Sequence, residues 1–141
     1  MAETLYAFMR ENVKAVGEKL IPVSDRFVDE DGNVVNWKIR AITADMNQKI
    51  RRSCVKRTGT NKAGQPVERR DDDLYQAKLA TACIVEPNLS DTKLLDSWGA
   101  DCAETLIRQM LLPGEFDGLV MKIIEFCGFK TEEEEIEEVK N

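Results

Sequence analysis

The chain has 141 residues, of which 43% are apolar and 6% aromatic, a composition typical of one globular domain. Its net charge of −6 comes mainly from the last ten residues, which hold six glutamates and one lysine, so the nearly neutral remainder disfavours a general polyanion binder. No apolar run approaches the roughly 20 residues of a membrane helix, and the acidic, amphipathic N-terminus does not match a signal peptide, so we expect a cytoplasmic protein.

An N-terminal helix is predicted over residues 3–16. Its apolar face is formed by Leu5, Phe8, Met9 and Val16. Gly17 is expected to end this helix.

A β-hairpin is predicted near residues 21–42. Two stretches rich in Val, Ile, Phe and Trp flank the turn sequence DEDGN at 29–33. Apolar Trp37 and Ile39 alternate with polar neighbours, as in a half-buried strand. Pro22 indicates that the first strand lies at a sheet edge or begins late.

Two further helices are expected in the middle of the chain. Thr43 is a predicted N-cap for a helix through about Arg57, with Met46, Ile50 and Cys54 facing inward. The stretch TGTNKAGQPV at 58–67 is predicted to be a mobile loop. Three aspartates, 71–73, then open a helix whose apolar LATACIV sequence predicts the central helix of the domain.

Three more helices are predicted after Pro87, which should stop the central helix. Ser90 is expected to cap a short helix through about Ser97, ended by Gly99. The next helix is indicated by helical spacing of Ala103, Leu106, Ile107, Met110 and Leu111. After the breaker LLPGEF, the last helix has an apolar stripe of Phe116, Leu119, Val120, Ile123, Ile124 and Cys127, closed by Gly128.

These elements predict a mainly α fold: a single compact helical domain over residues 1–130, with a small N-terminal β-hairpin and an acidic tail at 131–141. Thr131 and Glu134 could form a capping box in the tail, but ten residues are too few for a stable isolated helix. We therefore expect a flexible tail, which either aids solubility or becomes helical on a partner.

The sequence offers little for catalysis or metal binding. It contains no histidine, which removes the commonest general base and metal ligand. The four cysteines form no C-x-x-C pair and are predicted to be buried free thiols. The DEDGN stretch lacks calcium-ligand spacing, and the aspartates at 71–73 favour a helix start over a magnesium site. We predict no enzyme activity and no cofactor.

One feature indicates nucleic-acid binding as an alternative function. Lys49, Arg52 and Lys56 would form a basic stripe on the helix predicted through Arg57. No aromatic residues are interleaved for base stacking, and the sequence favours a solvated or acid-pairing face over nucleic-acid binding. The acidic tail could itself be the partner of this basic region.

Three segments, taken together, resemble the XkdN-like tail assembly chaperones of phages and defective prophages of Gram-positive bacteria. They are SDRFVDEDGNVVNWKIRAIT, YQAKLATACIVEPNLSD and LLDSWGADCAETLIRQMLLPGEFDGLVMKIIEFCGF. The similarity runs from about Val23 to Phe129. The most specific pieces are the sequence Trp37–Arg40, the corner at 87–89 and the sequence Pro113–Phe116.

The resemblance implies a protein that binds the tape measure protein, keeps it soluble and helps tail tube subunits polymerise around it. Such chaperones are typically absent from the finished virion, and the family often also makes a C-terminally extended form by programmed frameshifting. Residues Val139-Lys140-Asn141 permit a slippery A-AAA-AAY codon sequence. The extended form would provide contact with the tail tube protein, and self-association is compatible with this reading.

The first helix is our candidate partner surface, through Leu5, Phe8 and Met9, because a terminal helix is least committed to the core. The alternative is that this face packs on the domain.

Overall fold

Residues 2–129 are described by the computed structural model, and within them lie six α-helices and five short strands. The helices are α1 (Ala2–Phe8), α2 (Ala44–Ser53), α3 (Asp72–Cys83), α4 (Thr92–Trp98), α5 (Ala103–Met110) and α6 (Pro113–Phe126). The strands are β1 (Glu18–Ile21), β2 (Trp37–Arg40), β3 (Val55–Thr60), β4 (Pro66–Arg70) and β5 (Ile84–Glu86). This confirms the predicted mainly helical fold with a small N-terminal hairpin. Within the described range, every helix is too short or too polar to cross a bilayer.

The central helix is α3, as predicted, and it packs against α2, α5 and α6. Its buried positions are mainly small: Ala77, Ala80 and Cys83, each 0% exposed. Small side chains let neighbouring helices approach closely. The larger side chains of the core come from the neighbours, and the most deeply buried are Leu106 and Ile107 of α5 and Leu119 and Ile123 of α6. Burying each of these contributes about 1.5–3 kcal/mol.

A three-stranded antiparallel sheet covers one side of the helices, with β2 in the middle and β1 and β5 at its edges. Trp37 and Ile39 of β2 are buried, whereas Lys38 and Arg40 are partly or fully exposed, so the predicted alternation is confirmed. Pro22 follows β1 directly, and β1 is an edge strand, as the proline predicted.

The DEDGN stretch forms the predicted turn. The Asp29 Oδ1 atom accepts hydrogen bonds from the amides of Asp31 and Asn33, each at 2.9 Å. Gly32 has a φ of +85°, a conformation that favours glycine. Val28 and Val34 bridge across the turn, which therefore extends the β1–β2 hairpin.

The predicted first helix, 3–16, is wrong in length, because α1 ends at Phe8 and is followed by a 3-10 turn at Arg10–Asn12. The Asn12 side-chain amide donates to the Tyr6 carbonyl at 2.9 Å and so satisfies a carbonyl at the helix end. Among the residues that the structure describes, α1 has no extensive tertiary packing, which is what normally sustains a short helix in water.

The predicted mobile loop at 58–67 is wrong, since this region forms the antiparallel hairpin β3–β4. The Asn61 Oδ1 atom accepts from the amides of Ala63 and Gln65, each at 2.9 Å, and Gly64 has a φ of +77°. Asparagine and glycine therefore build a hairpin turn here rather than a loose loop.

The helix predicted through about Arg57 ends four residues earlier. Thr43 caps α2 as predicted, with its hydroxyl accepting from the Met46 amide at 3.2 Å. The helix stops at Ser53 because the chain turns into β3, and the Cys54 carbonyl accepts from the Asp71 amide at 2.7 Å. Cys54 is buried as expected and Ile50 is half-buried, but Met46 is exposed.

The corner at 82–91 also differs from the prediction. Residues 84–86 leave α3 and pair with β2 as strand β5, so Pro87 does not end the helix. The β-branched Ile84 and Val85 suit a strand, and the Arg40 guanidinium satisfies the helix end by donating to the Ala82 carbonyl at 3.0 Å. The cap of α4 is Asp91 rather than Ser90, because its carboxylate accepts from the Leu94 amide at 3.1 Å.

The remaining helix boundaries follow the sequence signals. Asp71 caps α3 through the Leu74 amide at 3.2 Å, so the aspartate triplet does open a helix. Gly99 ends α4 with a φ of +66°, and Gly128 follows the cap of α6 with a φ of +96°. The predicted stripes on α5 and α6 face the core. The predicted flexible tail at 131–141, with Thr131 and Glu134, lies outside the described residues.

A charged contact joins the N-terminal hairpin to the junction of α5 and α6. The Arg26 Nε and Nη2 atoms donate to the two carboxylate oxygens of Glu115, with an Nε–Oε2 distance of 3.2 Å. The same Nη2 atom donates to the Met110 carbonyl at 2.9 Å. Glu115 also accepts from the Leu112 amide at 2.8 Å and thereby caps α6. The contact therefore holds together parts of the chain that are 89 residues apart.

Hydrogen bonds to Glu115 lower the pKa of its carboxyl from 4.5 to about 2; the largest contribution comes from Arg26, followed by Ser24 and the Leu112 amide. Since the pKa in the folded chain is below the unfolded value, this group stabilises the fold above about pH 4.5. The stabilisation is lost as the pH falls toward about 2.

We therefore expect the unfolding free energy of the native chain to fall more between about pH 6 and about pH 3 than that of Glu115→Gln. Urea unfolding followed by circular dichroism at both pH values measures this difference. Glu125→Gln is the matched control, because Glu125 is exposed on the same helix and makes no ion pair within residues 2–129. Equal pH dependence in the native chain and Glu115→Gln would contradict the assigned role.

Candidate partner interface

The segment before the sheet leaves its apolar side chains in solvent. Every residue from 4 to 20 is exposed except Asn12, which is half-buried. Leu5, Phe8 and Met9 are 63%, 74% and 44% exposed. We call these three residues the N-terminal apolar face.

Within residues 2–129, this face makes no extensive contact with the helical core. Among the described elements, the main contact of α1 is with the 3-10 turn Arg10–Asn12. Leu5 and Phe8 are about one turn apart on α1, and Met9 follows its end, so the three side chains are neighbours in sequence and in space. Exposed apolar groups of this size are typical of a surface that another molecule covers.

A separate groove lies along the edge of the sheet. It lies between β1 and α6, has a volume of about 430 Å³, and is lined by Lys19, Leu20, Ile21, Pro22, Lys122, Glu125 and Phe126. The Lys122 ammonium donates to the Pro22 carbonyl at 2.7 Å and fixes one wall against the other. Because β1 is an edge strand, its outer backbone groups border this groove without a strand partner among residues 2–129.

The sequence did not reveal the groove, because its two walls are 100 residues apart in the chain. The available signal was Pro22, which predicted an edge strand but not which helix would flank it. The candidate interface therefore combines a surface that was predicted with a groove that only the tertiary structure forms.

The predicted basic stripe of Lys49, Arg52 and Lys56 does not form on one helix, which corrects that expectation. Lys49 and Arg52 lie on α2, but Lys56 lies on β3 because α2 ends at Ser53. Lys49 pairs with Asp45 at 3.2 Å, and Lys56 pairs with Asp71 at 2.9 Å. The hydrogen bond from Lys56, together with that from the Leu74 amide, lowers the pKa of Asp71. Two of the three cations are therefore engaged within the domain.

Several arginines form a different basic region around Tyr75. The guanidinium carbons of Arg51 and Arg70 lie 5.9 Å and 5.0 Å from the centre of the Tyr75 ring. Arg57 is opposite Glu68 in the β3–β4 hairpin, and Glu68 is two residues before Arg70 on β4. Because side chains alternate between the two faces of a strand, Arg57 lies on the same face as Arg70. We call Arg51, Arg57 and Arg70 the arginine cluster. The tyrosine hydroxyl donates to Asn47, which anchors the ring against α2.

Two of the four thiols, those of Cys83 and Cys127, lie close together. Burial raises the pKa of Cys83 to about 12, with a further contribution from Cys127, whose sulfur lies 3.9 Å away. A thiol with so high a pKa is a poor nucleophile at neutral pH. Cys102 is exposed beside Thr105, so the expectation that all four thiols are buried is wrong. Its position before the first turn of α5 places it at the surface.

Carboxylates and thiols within residues 2–129 do not gather into any group of three or more suited to a metal ion. The three aspartates at 71–73 instead form the start of α3, where Asp71 caps the helix and Asp72 pairs with Arg70 at 2.7 Å.

Comparison with known proteins identifies similar sequences over most of the chain. A family model of phage XkdN-like tail assembly chaperone proteins matches residues 5–140. The chain is 29% identical to the protein YqbN of Bacillus subtilis (strain 168), over 93% of this chain and 88% of that protein. It is 26% identical to the phage-like element PBSX protein XkdN of the same organism, with the same coverage. A crystal structure of YqbN aligns with a TM-score of 0.73 and 26% identity, covering 88% of this chain and 95% of that one.

The exposure of the N-terminal apolar face yields a stability prediction. The triple change Leu5→Ser, Phe8→Ser and Met9→Ser should alter the free energy of unfolding by no more than about 0.5 kcal/mol, since these side chains are outside the core. Leu106→Ala, which truncates a fully buried side chain, should lower it by about 2–5 kcal/mol. Urea unfolding of both variants measures the contrast. A loss in the triple variant similar to that of Leu106→Ala would mean that α1 packs on the domain.

Proposed function

The chain belongs to the family of phage XkdN-like tail assembly chaperones, and we propose that it binds the tape measure protein during tail assembly. In this proposal it keeps the tape measure chain soluble in the cytoplasm of the host bacterium and assists polymerisation of the tail tube. It then leaves before the virion is complete.

The observation that carries the proposal is the exposure of the N-terminal apolar face. A long amphipathic helix exposes an apolar stripe that aggregates unless another apolar surface covers it. Leu5 and Phe8 provide aliphatic and aromatic anchors on one helix, and Met9 adds a flexible side chain that adapts to varied surfaces. Burying a large apolar side chain contributes about 1.5–3 kcal/mol, so three such residues are sufficient to govern binding.

A chaperone of this kind acts by binding rather than by catalysis, and we propose no reaction for it. The alternative function, nucleic-acid binding by Lys49, Arg52 and Lys56, loses its geometric basis because these residues do not share a helix. Self-association and contact with the tail tube protein through an extended form remain part of the proposed assembly role.

In this family the tape measure protein is expected to be the large protein encoded immediately downstream of the chaperone. The test is co-expression with that protein, followed by pull-down of each partner in turn. We expect the downstream chain to become soluble and to co-purify with the native protein. The triple variant Leu5→Ser, Phe8→Ser, Met9→Ser should reduce co-purification by at least about tenfold, which corresponds to about 1.4 kcal/mol. The matched control Lys49→Glu, Arg52→Glu, Lys56→Glu should retain it, because those residues lie outside the proposed interface.

Two results would contradict this proposal. The first is a downstream chain that stays insoluble and uncomplexed while this protein retains nucleic acid through moderate salt. If Lys49, Arg52 and Lys56 bind that nucleic acid, the charge-reversed variant should no longer retain it. The second is co-purification that the triple serine variant leaves unchanged, which would remove the N-terminal apolar face from the interface.

We further propose that the gene also yields a C-terminally extended product through slippage at the codons of Val139-Lys140-Asn141. Mass spectrometry of the products of the native gene should detect a second, larger polypeptide that shares the peptides of this chain. Recoding the three codons synonymously as GTT-AAG-AAC should remove that product without changing the amino-acid sequence. Its persistence after recoding would contradict slippage at this position.

A further inference from the structure

A second surface is formed by α2 and the β3–β4 hairpin, and it is chemically unlike the N-terminal apolar face. Residues 44–70 contain eight lysines and arginines and two acidic residues, in a chain whose net charge is −6. Within residues 2–129, no carboxylate is within ion-pair distance of Arg51, Arg52, Arg57, Lys62 or Arg69. This concentration of unneutralised positive charge requires an acidic partner or solvent ions.

The described part of the chain ends beside this charge. Phe129 lines a groove of about 310 Å³ together with Ile42, Thr43, Ala44, Asn47, Arg51, Leu79 and Cys127. Arg51 therefore lines the groove at which the described part of the chain ends. The guanidinium groups of Arg51 and Arg70 also both lie over the Tyr75 ring. The groove therefore places Phe129, shortly after the end of α6, near Arg51 of the arginine cluster.

The sequence that follows has the complementary charge. Residues 131–141 contain six glutamates, at positions 132–135, 137 and 138, and one lysine. An extended chain spans at most about 3.3–3.6 Å per residue, so these glutamates are within roughly 10–35 Å of Phe129. That reach covers the length of α2, which is about 15 Å for its ten residues.

We propose that residues 131–141 dock on the arginine cluster of their own chain. The glutamate carboxylates accept hydrogen bonds from the guanidinium groups of Arg51 and Arg57, and they neutralise the positive face formed by α2 and the β3–β4 hairpin. Attachment through Phe129 keeps the acidic segment at a high effective concentration beside the cluster, so modest contacts are sufficient. The docked segment closes this face to other polyanions.

The test measures by fluorescence anisotropy how tightly the full chain binds a fluorescein-labelled hexaglutamate peptide. The peptide competes with residues 131–141 for the arginine cluster. A tail variant replaces the six glutamates at 132–135, 137 and 138 by glutamine. A control variant neutralises six exposed carboxylates elsewhere, namely Glu11→Gln, Glu18→Gln, Glu30→Gln, Asp31→Asn, Asp101→Asn and Asp117→Asn. Both variants have the same net charge, so a difference between them reports on position rather than on total charge.

We expect the tail variant to bind the peptide at least about tenfold more tightly than the control variant, because the cluster is then uncovered. Adding Arg51→Glu and Arg57→Glu to the tail variant should abolish this gain. Adding Lys14→Glu and Lys93→Glu, two exposed cations elsewhere, should preserve most of it. The gain should also shrink at about 0.5 M salt, where charges are strongly screened.

Equal binding of the peptide by the tail variant and the control variant would overturn the proposal. The proposal would also be overturned if the Arg51→Glu, Arg57→Glu pair and the Lys14→Glu, Lys93→Glu pair reduced peptide binding by the tail variant equally. The arginines would then have no special role. Amide chemical shifts provide a readout independent of the peptide: the tail variant should shift resonances of residues 44–57 relative to the native chain. Shifts that vanish on dilution would mean that the tail docks on a second copy, which contradicts docking within one chain.

Discussion

The close packing of α3 against its neighbours is the constraint on which the rest of the structure depends. Ala77, Ala80 and Cys83 present little more than backbone to α5 and α6, so those helices supply the volume of the core with Leu106, Ile107, Leu119 and Ile123. A larger side chain at Ala77 or Ala80 would have to displace a whole helix, because protein interiors contain few voids. The same helix continues directly into β5, and so the position of α3 also fixes the sheet.

The helices of the core were predictable because the information is local. The stripes of α5 and α6 repeat with helical spacing, and the caps at Thr43, Asp71 and Gly99 are recognisable from single residues and their immediate context. The strand β5 was not predictable in this way, since its apolar residues continue the apolar run of α3 without a break. Pairing with β2, a segment more than forty residues earlier, decides that Ile84–Glu86 is a strand.

The candidate interface shows the same division between local and distant information. Leu5, Phe8 and Met9 were recognisable as an apolar group, but only the tertiary structure shows that their helix is short and exposed. The groove between β1 and α6, and the arginine cluster around Tyr75, bring together residues from separate elements. The basic stripe failed as a prediction for a local reason: Asn61 and Gly64 form a hairpin turn, so α2 ends early and Lys56 belongs to a strand.

The contact between Arg26 and Glu115 has a consequence for the order in which the protein forms on the ribosome. Its carboxylate partner is encoded 89 residues after the arginine and lies in the first turn of α6, the helix that completes the core. Arg26 of the N-terminal hairpin therefore lacks this ion pair until most of the polypeptide has been synthesised. Throughout that interval the N-terminal apolar face has already left the ribosome, so the segment proposed to bind the partner is accessible before the domain has finished folding.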